Sequence, residues 1–203
     1  MFSTVLNWSA IFVVIFFLQT PALSAGANPE KVVAKFQEKL VSVMKKSSST
    51  SVKQRYDMLS PAVENAFHLP LMSKIIVGNY WNHMSQNERL ELKSAFHRMS
   101  VSTLATLFNT YNGERFIYLK TKAGPSRTKL VYSHLLKSDT QKISIIYVTY
   151  KSKGGWRIID VIVDGGISEL KIRQSEYHRI LQTKGIGKLI KLLNSTATRL
   201  MLE

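Results

Sequence analysis

The sequence contains no cysteine among its 203 residues. No disulfide can therefore brace the fold, which must rest on its hydrophobic core, and an anchor attached through an N-terminal lipidated cysteine is excluded. Acidic residues are also scarce, because 13 Asp and Glu stand against 28 Lys and Arg and leave a formal net charge of +15. The chain is nonetheless 45% hydrophobic and 20% charged, a balance that excludes wholesale disorder and allows one ordinary domain.

Sequence motifs for metal binding and covalent catalysis are missing as well. The five histidines include no H-x-x-x-H pair, and none has a carboxylate at metal-ligand spacing. There is no G-x-S-x-G turn for a serine nucleophile. The glycine-containing stretch KGIGK, at 184–188, fails as a phosphate loop because Leu189 stands where Ser or Thr is needed. We therefore predict no metal, no cofactor and no catalytic residue.

A single long apolar run, AIFVVIFFL at 10–18, precedes the rest of the chain. The run is too short to span a bilayer, and Ala25-Gly26-Ala27 after it fits the pattern of a signal-peptide cleavage site. We predict a signal peptide over 1–27, export to the periplasm, and a mature domain over 28–203. No Lys or Arg precedes the run, so an uncleaved anchor is the alternative.

All Lys, Arg, Asp and Glu residues follow Ala27, so the mature chain has the whole charge of +15. Such a charge attracts polyanions without identifying one, and anionic lipid headgroups, an acidic partner and nucleic acid all qualify. Export argues against nucleic acid. The alternative is a basic surface that only keeps the protein in solution.

Helical patterns dominate the first half of the mature chain. Asn28-Pro29-Glu30 has the form of a helix start, with apolar residues at helical spacing towards Lys46. Further helical segments are predicted from about Val52, after Ser60-Pro61 and after Leu69-Pro70. A capping box at 85–88 opens a long helix that reaches about Asn109 and is apolar over a wide arc. Such an arc predicts burial on more than one side, or a helix that lines a cavity.

After Gly113 the period changes to that of β-strands. Four strands are predicted at 115–122, 129–137, 142–151 and 156–164, with short loops that favour antiparallel neighbours. The last two are almost continuously apolar, which predicts cover on both faces of the sheet. Ser168 then caps a helix through Leu181, Gly185 closes it, and a last helix follows from Gly187 to Leu202. The predicted class is α+β.

Two carboxylates, Asp160 and Asp164, interrupt the last predicted strand. Residues four apart in a strand are separated by roughly 13 Å, too far for a cooperating acid pair, whose carboxylates lie about 5–10 Å apart. We therefore expect Asp160 to accept hydrogen bonds within the fold and Asp164 to open a turn with Gly165 and Gly166. The many aromatic residues predict core packing, or a cavity for an apolar ligand between sheet and helices.

Two blocks resemble the MlaC family, also called the toluene-tolerance family. They are VGNYWNHMSQNERLELKSAFHRMSVSTLATLFNTYNGERF at 77–116 and GGWRIIDVIVDGGISELKIRQSEYHRILQTKGIGKLI at 154–190. The shared features are a Gly-x-Tyr-aromatic segment before a capping box, a long helix ending near Tyr-x-Gly, a Trp four residues before Asp-Val, a Gly-apolar-Ser turn and a Lys-Gly-Ile segment. The likeness is weaker before Ser60 and through the middle strands.

This resemblance implies a curved, mainly antiparallel sheet of about four strands, wrapped by N- and C-terminal helices around a deep apolar cavity. It implies a periplasmic phospholipid carrier of an ABC transport system that maintains outer-membrane lipid asymmetry. The implied partners are an inner-membrane ABC transporter complex and an outer-membrane lipoprotein complex. Some relatives are associated with hopanoids, so a hopanoid or other sterol-like lipid is the alternative cargo.

On this resemblance the strand that ends in Gly-Ile-Ser forms a wall of the cavity, and Asp160 has no catalytic role. The predicted lipid-binding residues are Val77, Tyr80, Met99, Leu104, Phe108, Ile143, Ile145, Tyr147, Ile162 and Ile167. One departure is an extra glycine between Asp-Val and Gly-Ile-Ser, which predicts a bulge at Gly165-Gly166 and leaves open which residues of this strand face the cavity.

Two other functions remain to be weighed. An enzyme with this fold would use Asp160 and Tyr147 inside the cavity, and Asp160→Asn would then abolish activity while lipid binding persists. A basic nucleic-acid or matrix-binding module would bind polyanions with a steep dependence on salt and would contain no lipid.

Overall fold

A computed structural model describes residues 28–138 and 141–202. The predicted signal peptide lies outside the described residues, so its cleavage and the boundary at Asn28 stay predictions. Among the described helices, none combines the length and apolar character needed to cross a bilayer.

The first two helices are α1, Pro29–Met44, and α2, Val52–Ala66. Pro29 occupies the first turn of α1, where its missing N–H costs nothing. At α2, Ser51 and Gln54 form a capping box. The new helical turn predicted at Ser60-Pro61 is wrong, because Pro61 lies inside α2. A proline removes one backbone hydrogen bond, and the buried neighbours Leu59 and Val63 compensate by packing.

The next two helices are α3, Leu69–Val77, and α4, Gln86–Leu107, joined by a 3-10 segment at Gly78–His83. The predicted capping box of α4 is present, because the Ser85 side chain accepts from the Glu88 N–H and the Glu88 carboxylate accepts from the Ser85 N–H. α4 packs against α2, α3 and α5, so burial on more than one side is confirmed. Its two leucines nearest the ends, Leu90 and Leu107, are exposed.

The sheet is an antiparallel meander in the order β1-β2-β3-β4-β5. Its strands are β1, Arg115–Ala123; β2, Thr128–Leu136; β3, Lys142–Ser152; β4, Gly155–Val163; and β5, Ile167–Ser168. The α+β class and four long strands are confirmed, and the two-residue β5 is an addition to them.

The two faces of the sheet follow from strand register and burial. The face against the helices, here the inner face, contains the buried Val131, Ser133 and Leu135 of β2 and, paired with them, Ile143, Ile145 and Tyr147 of β3. The opposite, outer face contains eight apolar residues, none of which packs against the buried core: Ile117, Leu130, Tyr132, Leu136, Ile146, Val148, Tyr150 and Ile162.

The prediction of cover on both faces of β3 and β4 is therefore wrong for the described residues. Ile146, Val148 and Ile162 are only partly buried and do not pack against the core, and the contact found on this face is that of the His68 ring with Tyr150 at one end. Continuous apolar runs are typical of strands buried on both sides. Here the second apolar set belongs to a face that lies open.

The bulge in β4 lies earlier than expected. The register of β3 against β4 shifts between Val148–Asp160 and Thr149–Ile158, so Ile159 and Asp160 form the irregularity. Gly165 and Gly166, where we expected the bulge, have φ of 80° and 88° and form the β4–β5 turn. The register therefore shows which face each residue of β4 occupies. Val161 pairs with inner-face Tyr147, whereas Ile162 pairs with outer-face Ile146.

The chain ends with α5, Glu169–Leu202, which packs mainly on α4 and α3. Gly185, with φ 72° and ψ 178°, breaks this helix in two. That backbone conformation is essentially restricted to glycine. The prediction that Gly185 closes one helix before the next begins is confirmed.

Candidate functional site

A groove of about 650 Å³ separates α1 from the edge strand β1. Its apolar wall consists of Ala34 and Val41 from α1 and of Phe116 and Tyr118 from β1. Because Phe116 pairs with Leu135 and Tyr118 with Ser133, both aromatic residues belong to the inner face of the sheet. The α1–β1 groove is therefore an opening into the layer between helices and sheet. Its volume lies within the range usual for small-molecule sites.

The rim of the α1–β1 groove is basic. Lys45 and Lys46 follow the last turn of α1, and Arg115 begins β1 opposite them, against a single acid, Glu38. All three cations are exposed. The ammonium of Lys45 also lies 5.4 Å from the centre of the Tyr111 ring. Cations that converge on an apolar opening suit a ligand with an anionic head and an apolar body.

Beneath the groove lies a buried polar cluster of Gln37, Ser133 and Tyr147. The Gln37 side-chain amide donates to Ser133 Oγ at 2.9 Å, which ties α1 to the middle of the sheet. Burial raises the pKa of Tyr147 to about 12, and the Gln37 side chain partly opposes that rise. The phenol is therefore neutral at physiological pH, and it has no charge to offer a ligand.

A second cavity, of about 570 Å³, lies where α3 meets α5. Ile76, Val77 and Tyr80 provide its apolar surface, and its polar residues are Asn79, His83, Gln174 and His178. The Gln174 amide donates to the Ile75 carbonyl at 3.0 Å, and the rings of Tyr80 and His178 lie 6.1 Å apart, edge to face. This cavity is bordered by helices alone.

The predicted lipid-binding residues fall into separate groups. Ile143, Ile145 and Tyr147 share the inner face of β3. Val77 and Tyr80 border the second cavity. The remaining five are distributed among the core helices and the far side of the sheet: Met99 is buried in α4, Leu104 and Phe108 pack partly on the core, Ile162 lies on the outer face, and Ile167 is 54% exposed. One set of contacts cannot unite all ten.

Asp160 has a defined structural role. Its Oδ1 accepts from the backbone N–H of Val161 at 2.8 Å and of Leu170 at 3.0 Å, and its Oδ2 accepts from Ser168 Oγ at 2.6 Å. Ser168 Oγ in turn accepts from the Lys171 N–H, so both residues cap the start of α5. The expectation that Asp160 accepts hydrogen bonds inside the fold is confirmed. Asp164 does open the Gly165-Gly166 turn, and its Oδ1 accepts from the Ser144 N–H at 2.8 Å.

Asp160 and Tyr147 do not face one another as an enzyme would require. Tyr147 is on the inner face and pairs with Val161, while Asp160 pairs with Val148 at the bulge and turns its carboxylate to α5. Within the residues described, no group of three or more His, Asp or Glu could hold a metal ion.

The groove residues were missed by the sequence analysis. Lys45, Lys46 and Glu38 have the appearance of an ordinary solvated helix surface, and Arg115 opens a strand of mixed polarity. The only available signal was Gln37, a polar residue on the apolar side of α1, which the structure buries to 7% exposure. A buried polar residue on a helix face marks a special contact more often than a surface charge does.

Comparison with known proteins adds three findings. A family model described as MlaC protein matches residues 34–195. The fold resembles that of a phospholipid-binding protein from Ralstonia solanacearum, solved in complex with a phospholipid, with a TM-score of 0.75 and 14% identity over 86% of this chain and 99% of that one. No curated protein matches the chain.

Proposed function

Because the chain belongs to the MlaC family, we propose that it binds a phospholipid through the α1–β1 groove and transports it through the periplasm. The observation that supports this proposal best is the groove itself, where an apolar wall that includes Val41 and Phe116 stands beneath a basic rim. The related fold from Ralstonia solanacearum, solved with a phospholipid, supports the same class of ligand.

The headgroup is assigned to the rim. A phosphodiester has one negative charge and two free oxygens, which a guanidinium such as that of Arg115 can contact in a bidentate manner. Lys45 and Lys46, on the opposite side of the groove, supply point charges. All three cations are exposed, so the headgroup stays in contact with water and need not be fully desolvated.

The acyl tails are assigned to the layer between α1 and the inner face of the sheet. Phe116 and Tyr118 lead from the groove to the inner-face residues Ile143 and Ile145. For a tail to pass this way, the Gln37–Ser133 hydrogen bond must open or shift, because it closes the floor of the groove. The proposed path does not use Ile162 or Ile167.

Transport by this route requires no chemical step. Burial of each CH₂ contributes about 0.8 kcal/mol relative to water, but the tails lose the same contribution when they leave a bilayer. Exchange between carrier and membrane is therefore nearly balanced, and docking to a partner can tip it. We infer a carrier rather than an enzyme, in which Asp160 serves the fold.

The proposed route runs between an outer-membrane lipoprotein complex and an inner-membrane ABC transporter complex. The net charge of +15 would speed encounters with acidic docking surfaces, with an association rate that falls as salt rises. The predicted signal peptide over 1–27 would place the carrier in the periplasm.

The proposal is tested by filling the groove with a large side chain and measuring lipid uptake. Ala34 is an exposed residue of α1 that lines it, so Ala34→Trp fills the opening without enlarging a core side chain. We expect the variant to fold normally and to lose most of its uptake of fluorescent phospholipid from vesicles.

The matched control is Ser195→Trp, which places the same side chain on the exposed surface of α5. This variant should take up lipid as the unaltered chain does. Equal uptake by the Ala34→Trp chain would place the lipid elsewhere, and the second cavity would then be blocked in the same way.

A further inference from the structure

The outer face of the sheet is an apolar surface that the described elements leave open except at one end, where the His68 ring lies against Tyr150. Its centre is formed by Tyr132, Ile146, Val148 and Ile162, which are half-buried by one another and do not pack against the core. Contiguous open apolar area on a folded chain marks an interaction site more often than chance.

The sheet is also where the positive charge of the chain concentrates. Residues 115–163 contain ten Lys and Arg and two Asp, a formal net charge of +8 out of the +15 of the whole chain. One of the two acids, Asp160, has its carboxylate hydrogen-bonded at the start of α5. The surface offered by the sheet is therefore both apolar and strongly cationic.

Several of these cations pair with outer-face residues, and two of them flank the centre of that face. Lys120 pairs across the strands with Tyr132, and Lys122 pairs with Leu130. Their ammonium groups lie 5.5 and 5.9 Å from the centre of the Tyr132 ring. Long lysine stems laid over an apolar surface, with the charge at its border, are typical of side chains at a membrane–water boundary.

The outer face continues into the edge of the sheet and from there to the groove. In β1, Ile117, Tyr118 and Leu119 are 37%, 53% and 45% exposed. Ile117 belongs to the outer face, whereas Tyr118 lines the α1–β1 groove. A partner bound to the outer face would therefore lie beside the mouth of the groove.

We propose that the outer face docks reversibly on the surface of an anionic bilayer. Binding to such a surface grows with the apolar area buried and with the number of cations near the headgroups, and this face supplies both. A bilayer suits it better than an acidic protein because the face combines cations and an aromatic ring with a continuous patch of aliphatic residues, the pairing of chemistries that an anionic lipid surface presents to a protein. This surface adjoins the proposed lipid site along β1 but does not include the apolar wall of the groove.

The test is co-sedimentation of the chain starting at Asn28 with vesicles. We expect binding to phosphatidylglycerol–phosphatidylcholine vesicles at low salt, little binding to phosphatidylcholine alone, and release at high salt. The double variant Lys120→Gln/Lys122→Gln should bind about thirtyfold more weakly, since each basic residue near an anionic surface strengthens partitioning about fivefold.

A matched control is Lys188→Gln/Lys191→Gln, which removes the same charge from exposed positions of α5. This variant should bind at least several-fold more tightly than the sheet variant. Equal loss in the two would overturn the proposal, because net charge alone would then account for binding. A chain that does not sediment with anionic vesicles at all would also overturn it, and the face would be assigned to an acidic protein.

The apolar part is tested by Ile146→Thr/Val148→Thr, which keeps β-branched side chains in β3 while removing apolar area. We expect binding to fall about fivefold or more. Unchanged binding would contradict the assignment of this face. A chain that only takes up lipid stays in the supernatant in loaded form, whereas a chain that docks on vesicles moves to the pellet. Failure of the docking proposal can therefore be distinguished from failure of the proposed lipid site.

Discussion

Removal of the Asp160 side chain tests whether this carboxylate holds the sheet to α5. In Asp160→Ala, the N–H groups of Val161 and Leu170 and the hydroxyl of Ser168 lose their acceptor. Hydrogen bonds to a charged group contribute about 1.5–3 kcal/mol each, and loss of a helix cap costs about 1 kcal/mol. Asp160 is only partly buried, so water replaces part of the loss, and we expect a decrease of about 2–4 kcal/mol in the free energy of unfolding.

Two further variants should lose less stability than Asp160→Ala and serve as comparisons for it. Asp160→Asn keeps one acceptor oxygen for the two backbone N–H groups and removes the charge, so it should cost about 1–2 kcal/mol. Asp164→Ala removes one hydrogen bond, to the Ser144 N–H, at an exposed position and should cost less than about 1 kcal/mol.

The assay is urea unfolding followed by circular dichroism, together with lipid uptake well below the unfolding transition. The expected order of stability is unaltered chain, Asp164→Ala, Asp160→Asn, Asp160→Ala, with lipid uptake retained by each folded variant. An Asp160→Ala chain as stable as the unaltered one would refute the capping argument. A stable Asp160→Asn chain that has lost only its function would instead favour an active-site role.

Two further predictions concern the helix break and the buried phenol. Gly185→Ala should lose about 1–3 kcal/mol of stability, because φ of 72° with ψ of 178° is strained for any residue with a Cβ, even though no atom lies within 4 Å of the added Cβ. The control is Gly187→Ala, since Gly187 has no positive φ and the variant should be neutral or slightly stabilising in the same thermal melts. Equal losses of stability in the two variants would contradict the role given to the Gly185 backbone. For Tyr147, a pKa raised from 10.0 to about 12 means that its contribution to stability is complete below pH 10 and is lost as pH rises towards 12. Between about pH 9 and pH 12, the free energy of unfolding of Tyr147→Phe, measured by urea titration, should therefore fall by on the order of 2 kcal/mol less than that of the unaltered chain. Parallel falls in the two chains would refute the raised pKa of Tyr147.

The elements of the fold were predictable where local chemistry determines them. The box at Ser85 and Glu88 marked the start of α4, and Gly185 marked the break in α5, because each acts through its own backbone neighbours. Pro61 was misleading, since packing of α2 outweighs the cost of one proline. The change of period after Gly113, with short loops between the strands, was sufficient to predict four strands with antiparallel neighbours.

Strand parity and the site depended on contacts between distant parts of the chain. The bulge at Ile159 and Asp160 contains no glycine, so the sequence pointed to Gly165-Gly166 instead. The α1–β1 groove joins residues far apart in the chain, such as Lys45 and Arg115, which are 70 positions apart and whose surroundings look like plain solvated surface.

If this chain is a phospholipid carrier, it should be purified together with its lipid, and its mass shows whether it is. The chain starting at Asn28 would be purified from bacterial cells and weighed intact under native and denaturing conditions, and any bound lipid would be extracted and identified. We predict one phospholipid load per chain, which is lost on denaturation. An empty chain that also fails to take up labelled phospholipid from vesicles would contradict it.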